Sequence, residues 1–216
     1  MSLVNNDNCF DKGIDVSKWQ GAIDWEEVAE SGVKHAFIKM TEGGTYVDPK
    51  FVENWNNAKL ANINVNCYHY FRALSSTPQE QFNNIKKVLS SVGFDSTKNS
   101  LAIDVEKSRN EAATPEQMAD NLHSLLSFLS KDSELSCQAT FIYCSPSYWD
   151  SGVKWDKYDF SIYPLWIANW NVEAPHLPLT WKNAGQSWSW WQYSSKGKIS
   201  GITENVVDLD WVKRSA

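Results

Sequence analysis

The segment Leu101-Ala102-Ile103-Asp104-Val105-Glu106 reads as an apolar strand that ends in two carboxylates. Strand side chains alternate between faces, so Asp104 and Glu106 fall on the same side, about 6.6 Å apart at a rise of about 3.3 Å per residue. Acids are depleted from strands. Two that share one side push each other's pKa values apart, leaving one a proton donor and the other an anion. Such a pair suits general acid chemistry on a glycosidic bond. Taken alone, it also reads as two solvated charges at a strand end.

Two more acid-bearing strands lie far away in sequence. Gly13-Ile14-Asp15-Val16-Ser17 carries Asp15 and runs into the loop Lys18-Trp19-Gln20-Gly21; Val206-Val207-Asp208-Leu209-Asp210-Trp211 repeats the pattern near the C-terminus. An Asp at a strand edge often caps a turn. Three such strands converging on one place would go beyond capping.

Twelve tryptophans are the compositional outlier. Many gather in Ser187-Trp188-Ser189-Trp190-Trp191-Gln192-Tyr193 and Leu165-Trp166-Ile167-Ala168-Asn169-Trp170, with others at Trp149, Trp155 and Trp181. Flat aromatic faces flanked by amides and hydroxyls suit sugar rings, although any one tryptophan also serves as core mass. As a set they are expected to line a groove.

Other chemistries fit less well. His35, His69, His123 and His176 include no H-E-x-x-H and no carboxylate at ligand spacing, so no metal is expected. His69 alternates with Tyr68 and Tyr70 and is expected on the opposite face as a packed histidine. Ser145 lacks the flanking glycines of a nucleophile elbow, and Gly43-Gly44 is a turn and not a phosphate loop. The net charge of −6, with basic residues scattered singly, offers no stripe for nucleic acid. No apolar run approaches a membrane span, and the opening Met1-Ser2-Leu3-Val4-Asn5-Asn6-Asp7-Asn8 lacks the apolar core of a secretory signal.

The elements that must position the acids alternate between strand and helix. Strands are predicted over 13–17, 35–41, 64–71, 101–105, 139–144, 163–169, 188–193 and 206–210. Thr77-Pro78-Gln79-Glu80 and Thr114-Pro115-Glu116-Gln117 place Thr at the N-cap, Pro first and an acid or amide third, the signature of a helix start. Asp24-Trp25-Glu26-Glu27 and Asp48-Pro49 are read the same way. After residue 145 the strands crowd together and helical periodicity fades. The expected fold class is α/β: a small, incomplete (β/α) TIM-like barrel with eight strands and few or no helices between the last strands. Sites in such barrels sit at the C-terminal strand ends, where Asp15, Glu42, Tyr70, Asp104, Glu106, Trp170, Gln192 and Asp208 all fall. With 216 residues and 42% apolar content, one domain over 13–216 is expected, preceded by an N-terminal extension of residues 1–12. Cys9, Cys67, Cys137 and Cys144 lack C-x-x-C spacing, leaving two disulfides or free buried thiols open.

Several spaced motifs together resemble one family. Asp15-Val16-Ser17-Lys18-Trp19-Gln20-Gly21, then Gly32, then Phe37-Ile38-Lys39-Met40-Thr41-Glu42-Gly43 with Tyr46 and Asp48, is similar to the N-terminal signature of glycoside hydrolase family 25, the Chalaropsis-type lysozymes that cut bacterial peptidoglycan. Tyr68-His69-Tyr70-Phe71, Ala102-Ile103-Asp104-Val105-Glu106, Leu165-Trp166-Ile167-Ala168 and Trp191-Gln192-Tyr193 follow in the family's order. The resemblance spans about residues 13 to 212.

It implies a secreted muramidase that hydrolyses β-1,4 bonds between N-acetylmuramic acid and N-acetylglucosamine without a cofactor, as a monomer whose partner is the peptidoglycan glycan strand. Glu106 matches the proton donor, Asp104 its partner, and Asp15 and Asp208 the first- and last-strand aspartates. Tyr68, Tyr70, Trp170, Gln192 and Glu42 fall to substrate binding, with a structural duty for Glu42 equally open. Asp210 stands where relatives often show an amide, as a further charge in the mouth or a salt-bridge partner. Glu106 is expected to have its pKa raised by Asp104 and by partial burial. An extracellular substrate favours disulfides between the cysteines. A sugar-binding module that lost its chemistry and an endo-chitinase-like hydrolase are the rival readings.

Overall fold

A computed structural model describes residues 9–135 and 140–214. Its strands are β1 (Phe10–Val16), β2 (Val33–Glu42), β3 (Tyr46–Val47), β4 (Asn64–Tyr70), β5 (Leu101–Asp104), β6 (Thr140–Cys144), β7 (Leu165–Ala168), β8 (Trp188–Gly197) and β9 (Val207–Lys213). All but β3 close into an eight-stranded barrel in the order β1-β2-β4-β5-β6-β7-β8-β9, with β9 returning to β1. The expected barrel is present. β3 is a short hairpin arm folded onto the end of β2.

One strand departs from expectation. Neighbours from β1 round to β8 run parallel, whereas β9 is antiparallel to both β8 and β1. The mouth formed by the C-terminal ends of the other strands therefore receives the start of β9. Asp208 reaches it by coming early in a reversed strand, and not by ending a parallel one. The C-terminal-end reading of Asp208 is corrected accordingly. Alternation of faces is the same in either direction, so the sequence pattern carries no sign of the reversal. β1 also begins at Phe10, three residues ahead of the predicted strand, with Phe10 opposite Lys213.

Period-two alternation builds two cores. Phe37, Ala102, Tyr143, Trp166 and Trp190 point into the barrel. The rings of Phe37 and Trp166 stack at 4.3 Å, and Trp190 meets Phe37 edge-on at 4.5 Å. Gly13 makes room for them, since a Cβ there would lie 3.0 Å from the Trp190 ring and from Val212 Cγ2. This aromatic plug fills the interior below the mouth. The intervening residues, including Ile14, Val16, Ile38, Ile103 and Val105, face outward into the core shared with the helices.

The helices are α1 (Trp25–Glu30), α2 (Phe51–Leu60), α3 (Pro78–Ser91), α4 (Pro115–Lys131), α5 (Pro146–Gly152) and α6 (Leu179–Asn183). Thr77 with Glu80 and Thr114 with Gln117 form reciprocal capping boxes, and Asp24 caps α1 through the amides of Glu26 and Glu27. Asp48-Pro49 does not start a helix as expected. α2 begins at Phe51 without a side-chain cap. The Asp48 carboxylate instead accepts from the amides of Lys50 at 2.9 Å and Lys18 at 3.2 Å, fastening the loop after β1. Only the short α5 and α6 lie among the last strands, in line with the predicted loss of helices. Among the described residues no helix is long and apolar enough to cross a membrane.

The expectation of two disulfides is overturned. Cys9, Cys67 and Cys144 are free, Cys9 exposed and the other two buried, and Cys137 lies outside the described residues. Cys67 and Cys144 sit on the outward faces of β4 and β6 as small core residues.

Candidate active site

β5 places Asp104 inward, on the same side as Ala102, while Ile103 and Val105 point to the helices. Glu106 follows in the loop. Its carboxyl and that of Asp104 lie within hydrogen-bonding reach of each other, as the shared side predicts. Two carboxyl groups can make that contact only by sharing a proton. Burial, followed by the charge of Glu106, drives the Asp104 carboxyl far above its ordinary range. Its buried Oδ1 meets no donor among the described residues. Asp104 is the more enclosed of the two, so burial opposes its anionic form most strongly.

Glu106 is also raised, but the cause differs from expectation. Burial raises it, while the hydrogen bond from Asp104 and the charge of Lys39 pull it back down. The contact with Asp104 therefore acts to lower the Glu106 pKa and not to raise it.

β1 and β9 supply a second carboxyl cluster. Asp15 is opposite Asp208 and Gly13 opposite Asp210 in the antiparallel register. Burial, then the charges of Asp208 and Asp210, raises Asp15 well above the usual range. Burial raises Asp208 too, and its carboxyl lies within hydrogen-bonding reach of Asp15. Asp210 is 1% exposed; burial pushes it to about 7, against the bond from Trp166 Nε1 to its Oδ1 at 2.7 Å. Asp210 forms no salt bridge among the described residues. It extends the buried acid cluster behind Asp15.

Gln192 on β8 ties the cluster to the aromatic wall. Its Nε2 donates to Asp15 Oδ2 at 2.7 Å, and its Oε1 accepts from Tyr143 OH and from Trp170 Nε1, each at 3.0 Å. Trp170 is thereby held with 46% of its surface exposed. A groove of about 630 Å³ passes over this wall, lined by Glu106, Tyr143, Tyr148, Ala168, Trp170 and His176 among others. Tyr68 lies close enough to Asp15, Asp104 and Asp208 to feel the charge of all three. Tyr70 is buried and donates to Ser108 O at 2.7 Å, bracing the loop that follows Glu106.

Glu42 does not line this groove. Lys39 Nζ at 2.9 Å and the Nη1 atoms of Arg72 and Arg109, both at 2.8 Å, occupy its carboxylate. Burial would raise its pKa; the three cations outweigh that and hold it low. The structural reading of Glu42 is the one this geometry supports. His69 is packed on the opposite face as expected, between Thr41 Oγ1 at 2.8 Å and Gln81 Oε1 at 3.0 Å. Most of the tryptophans are core: Trp55, Trp149, Trp166 and Trp181 are fully buried, while Trp19 and Trp170 are exposed.

Sequence reasoning missed Tyr143, which bonds Gln192 and lines the groove, and Lys39, whose Nζ lies 4.8 Å from the Tyr70 ring centre and acts on both Asp104 and Glu106. The signal for Lys39 was a cation on the inward parity of an apolar strand, two residues after Phe37. Tyr143 had the same parity signal on β6.

The sequence matches Glycosyl hydrolases family 25 over residues 14–202. The chain belongs to this family. Lysozyme M1 of Streptomyces globisporus is 29% identical over 90% of the family 25 chain, and the autolytic lysozyme of Clostridium acetobutylicum 31% identical over 92%. The chain spans 65% and 55% of the lengths of these two relatives. The crystal structure of a lysozyme from Streptomyces coelicolor superposes with a TM-score of 0.80 at 29% identity, covering 97% of this family 25 chain and 95% of that one.

Proposed function

We propose that this family 25 chain is a lysozyme, an N-acetylmuramidase that hydrolyses the β-1,4 bond between N-acetylmuramic acid and N-acetylglucosamine in bacterial peptidoglycan, with residues 13–216 as one catalytic domain. The observation that carries the reading is the close pair of buried carboxyls, Asp104 and Glu106, beside an aromatic-walled groove. A sugar-binding module has no use for buried carboxyl groups with unpartnered oxygens, each costing on the order of 1–3 kcal/mol. The reading places the enzyme at the cell wall as a monomer, with no cofactor, nucleic acid or membrane as partner.

Glu106 is the proton donor. It faces the groove and is the more open member of the pair, so it is the one that reaches a glycosidic oxygen. Binding of the sugar would settle the shared proton on Glu106, leaving Asp104 as an anion that accepts the N–H of the 2-acetamido group. The acetamido oxygen attacks the anomeric carbon, the C–O bond breaks, and Glu106 gives its proton to the leaving oxygen. Glu106 then takes a proton from water, whose oxygen attacks the same carbon and releases the acetamido group. Two carboxyls on one side of the sugar fit this substrate-assisted, retaining course better than attack by one of them from the opposite face. Asp15 and Asp208 provide negative charge for the developing cation, with Gln192 holding Asp15. Trp170, Tyr68 and Tyr70 shape the sugar site.

Digestion of purified bacterial walls, borohydride reduction and mass spectrometry test the activity. New reducing ends on N-acetylmuramic acid are expected. Reducing N-acetylglucosamine, or faster turnover of chitin, would favour the chitinase-like rival.

A further inference from the structure

Beside the sugar groove lies a second cleft, of about 300 Å³, that the catalytic reading leaves unused. Four of its lining residues are cations, Lys18, Lys39, Arg72 and Arg109, and its one lining carboxylate is Glu42. Glu42 answers three of the four. Lys18 has no ion pair among the described residues; its Nζ lies over the rings of Trp19 at 4.9 Å and Tyr46 at 5.6 Å. Arg72 keeps a buried Nε without an acceptor. The cleft is therefore net positive in a chain of net charge −6.

Its position bears on what it would hold. Ser108 lines the groove and Arg109 the cleft, so the loop after Glu106 forms the divide between them. That loop is built with strain: Arg109 adopts φ 62°, a conformation bulky side chains avoid. The turn is secured by Asn110, which is 4% exposed and bonds the carbonyls of Phe71 and Glu106 and the amide of Ala73. Unusual backbone retained under such fixation points to a placed side chain. Here it aims a guanidinium at Glu42 on the rim of the cleft.

We propose that this cleft is an anion subsite that holds a carboxylate carried on the 3-O-lactyl arm of the muramic acid residue at the cleavage site. The inference rests on the muramidase reading. An acidic sugar derivative entering beside the carboxyls of Asp15, Asp104, Glu106 and Asp208 is favoured by a cation nearby, and Lys18, Arg72 and Arg109 supply donors that a carboxylate can bridge. Trp19, 67% exposed, and Tyr46 give the arm an apolar wall. Neutral N-acetylglucosamine polymers lack the arm and gain nothing from the cleft.

Equilibrium binding to the wild-type protein tests this with monosaccharide probes, which contain no glycosidic bond to cleave: N-acetylmuramic acid, an N-acetylmuramyl peptide, the methyl ester of each, and N-acetylglucosamine. At low salt an acid is expected to bind about tenfold more tightly than its own ester, and the gap should close in high salt. It should also close in the doubly substituted Lys18→Ala/Arg109→Ala protein, whose altered side chains are exposed. The acid that shows the gap identifies whether the lactyl or a peptide carboxylate is held. Equal binding of both acids and their esters, or a gap that survives the double substitution, overturns the proposal. Failure of the muramidase reading would show separately, as walls left uncut.

Discussion

The side-chain amide of Gln192 donates to Asp15 Oδ2 at 2.7 Å across 177 residues of sequence, joining β1 to β8. The same amide's oxygen holds Tyr143 and Trp170. One side chain thus couples a buried carboxyl to the aromatic wall of the groove.

Gln192→Leu should therefore injure more than one contact. It leaves Asp15, the Tyr143 hydroxyl and the Trp170 indole without their shared partner, at a cost on the order of 1–3 kcal/mol for each buried group. We expect at least a tenfold fall in kcat/KM together with a lower Tm, read by steady-state kinetics and thermal unfolding. Unchanged kinetics would remove Gln192 from the site.

The barrel and most of the acid constellation were legible because period two is a local signal: Asp15, Asp104 and Asp208 each sit in an alternating apolar run. The direction of β9 was not legible, since a strand alternates alike whichever way it runs. The deeper burial of Asp104 than of Glu106 was also hidden, being a property of the closed barrel and not of the D-x-E spacing. Asp48 misled because an Asp-Pro pair signals a turn as readily as a helix start, and here its carboxylate serves Lys18. The cysteine count was even, but Cys67 and Cys144 went to the core.

Asp210 makes stability depend on pH in a stated direction. Its folded pKa of about 7 lies above the ordinary carboxyl value, so the folded protein keeps a proton that the unfolded chain releases. That contribution is complete at pH below about 4 and is lost as pH rises through 7. Asp15, Asp104 and Asp208 shift in the same direction. Asp210→Asn keeps the acceptor for Trp166 and removes the charge. It should raise Tm at pH 8, by a stabilisation on the order of a few kcal/mol, and much less at pH 4. Equal effects at both pH values would mean that Asp210 does not titrate within the fold.

Activity should follow the pair and not either residue alone. On the proposed mechanism hydrolysis needs one proton between Asp104 and Glu106, so the rate is expected to be highest between the two macroscopic pKa values of the pair. Both carboxyls are raised, so the profile of kcat/KM on a soluble muropeptide is shifted upward from the range of two ordinary carboxyls and falls toward alkaline pH once the pair's last proton is lost. Glu106→Gln should lower the rate at least about a hundredfold and abolish that falling limb, with folding intact. A rate that does not fall toward alkaline pH would move the proton donor elsewhere.

The buried thiols give a direct chemical check. In the native protein without reductant, Cys9 should react with an alkylating reagent while Cys67 and Cys144 resist, since burial raises both thiols. After unfolding, still without reductant, both should label. Intact mass and peptide mapping read the result, and an unlabelled Cys67 or Cys144 in the unfolded chain would indicate a disulfide.

On the proposed mechanism Asp104 and Glu106 act together on one side of the sugar while the substrate's acetamido group supplies the nucleophile. Proton NMR of the first-formed reducing sugar, recorded before mutarotation, tests this directly. The β-anomer should appear first from the β-linked substrate. An α-anomer appearing first would contradict substrate assistance and pass the second catalytic role to Asp15 or Asp208, activating water from the far face.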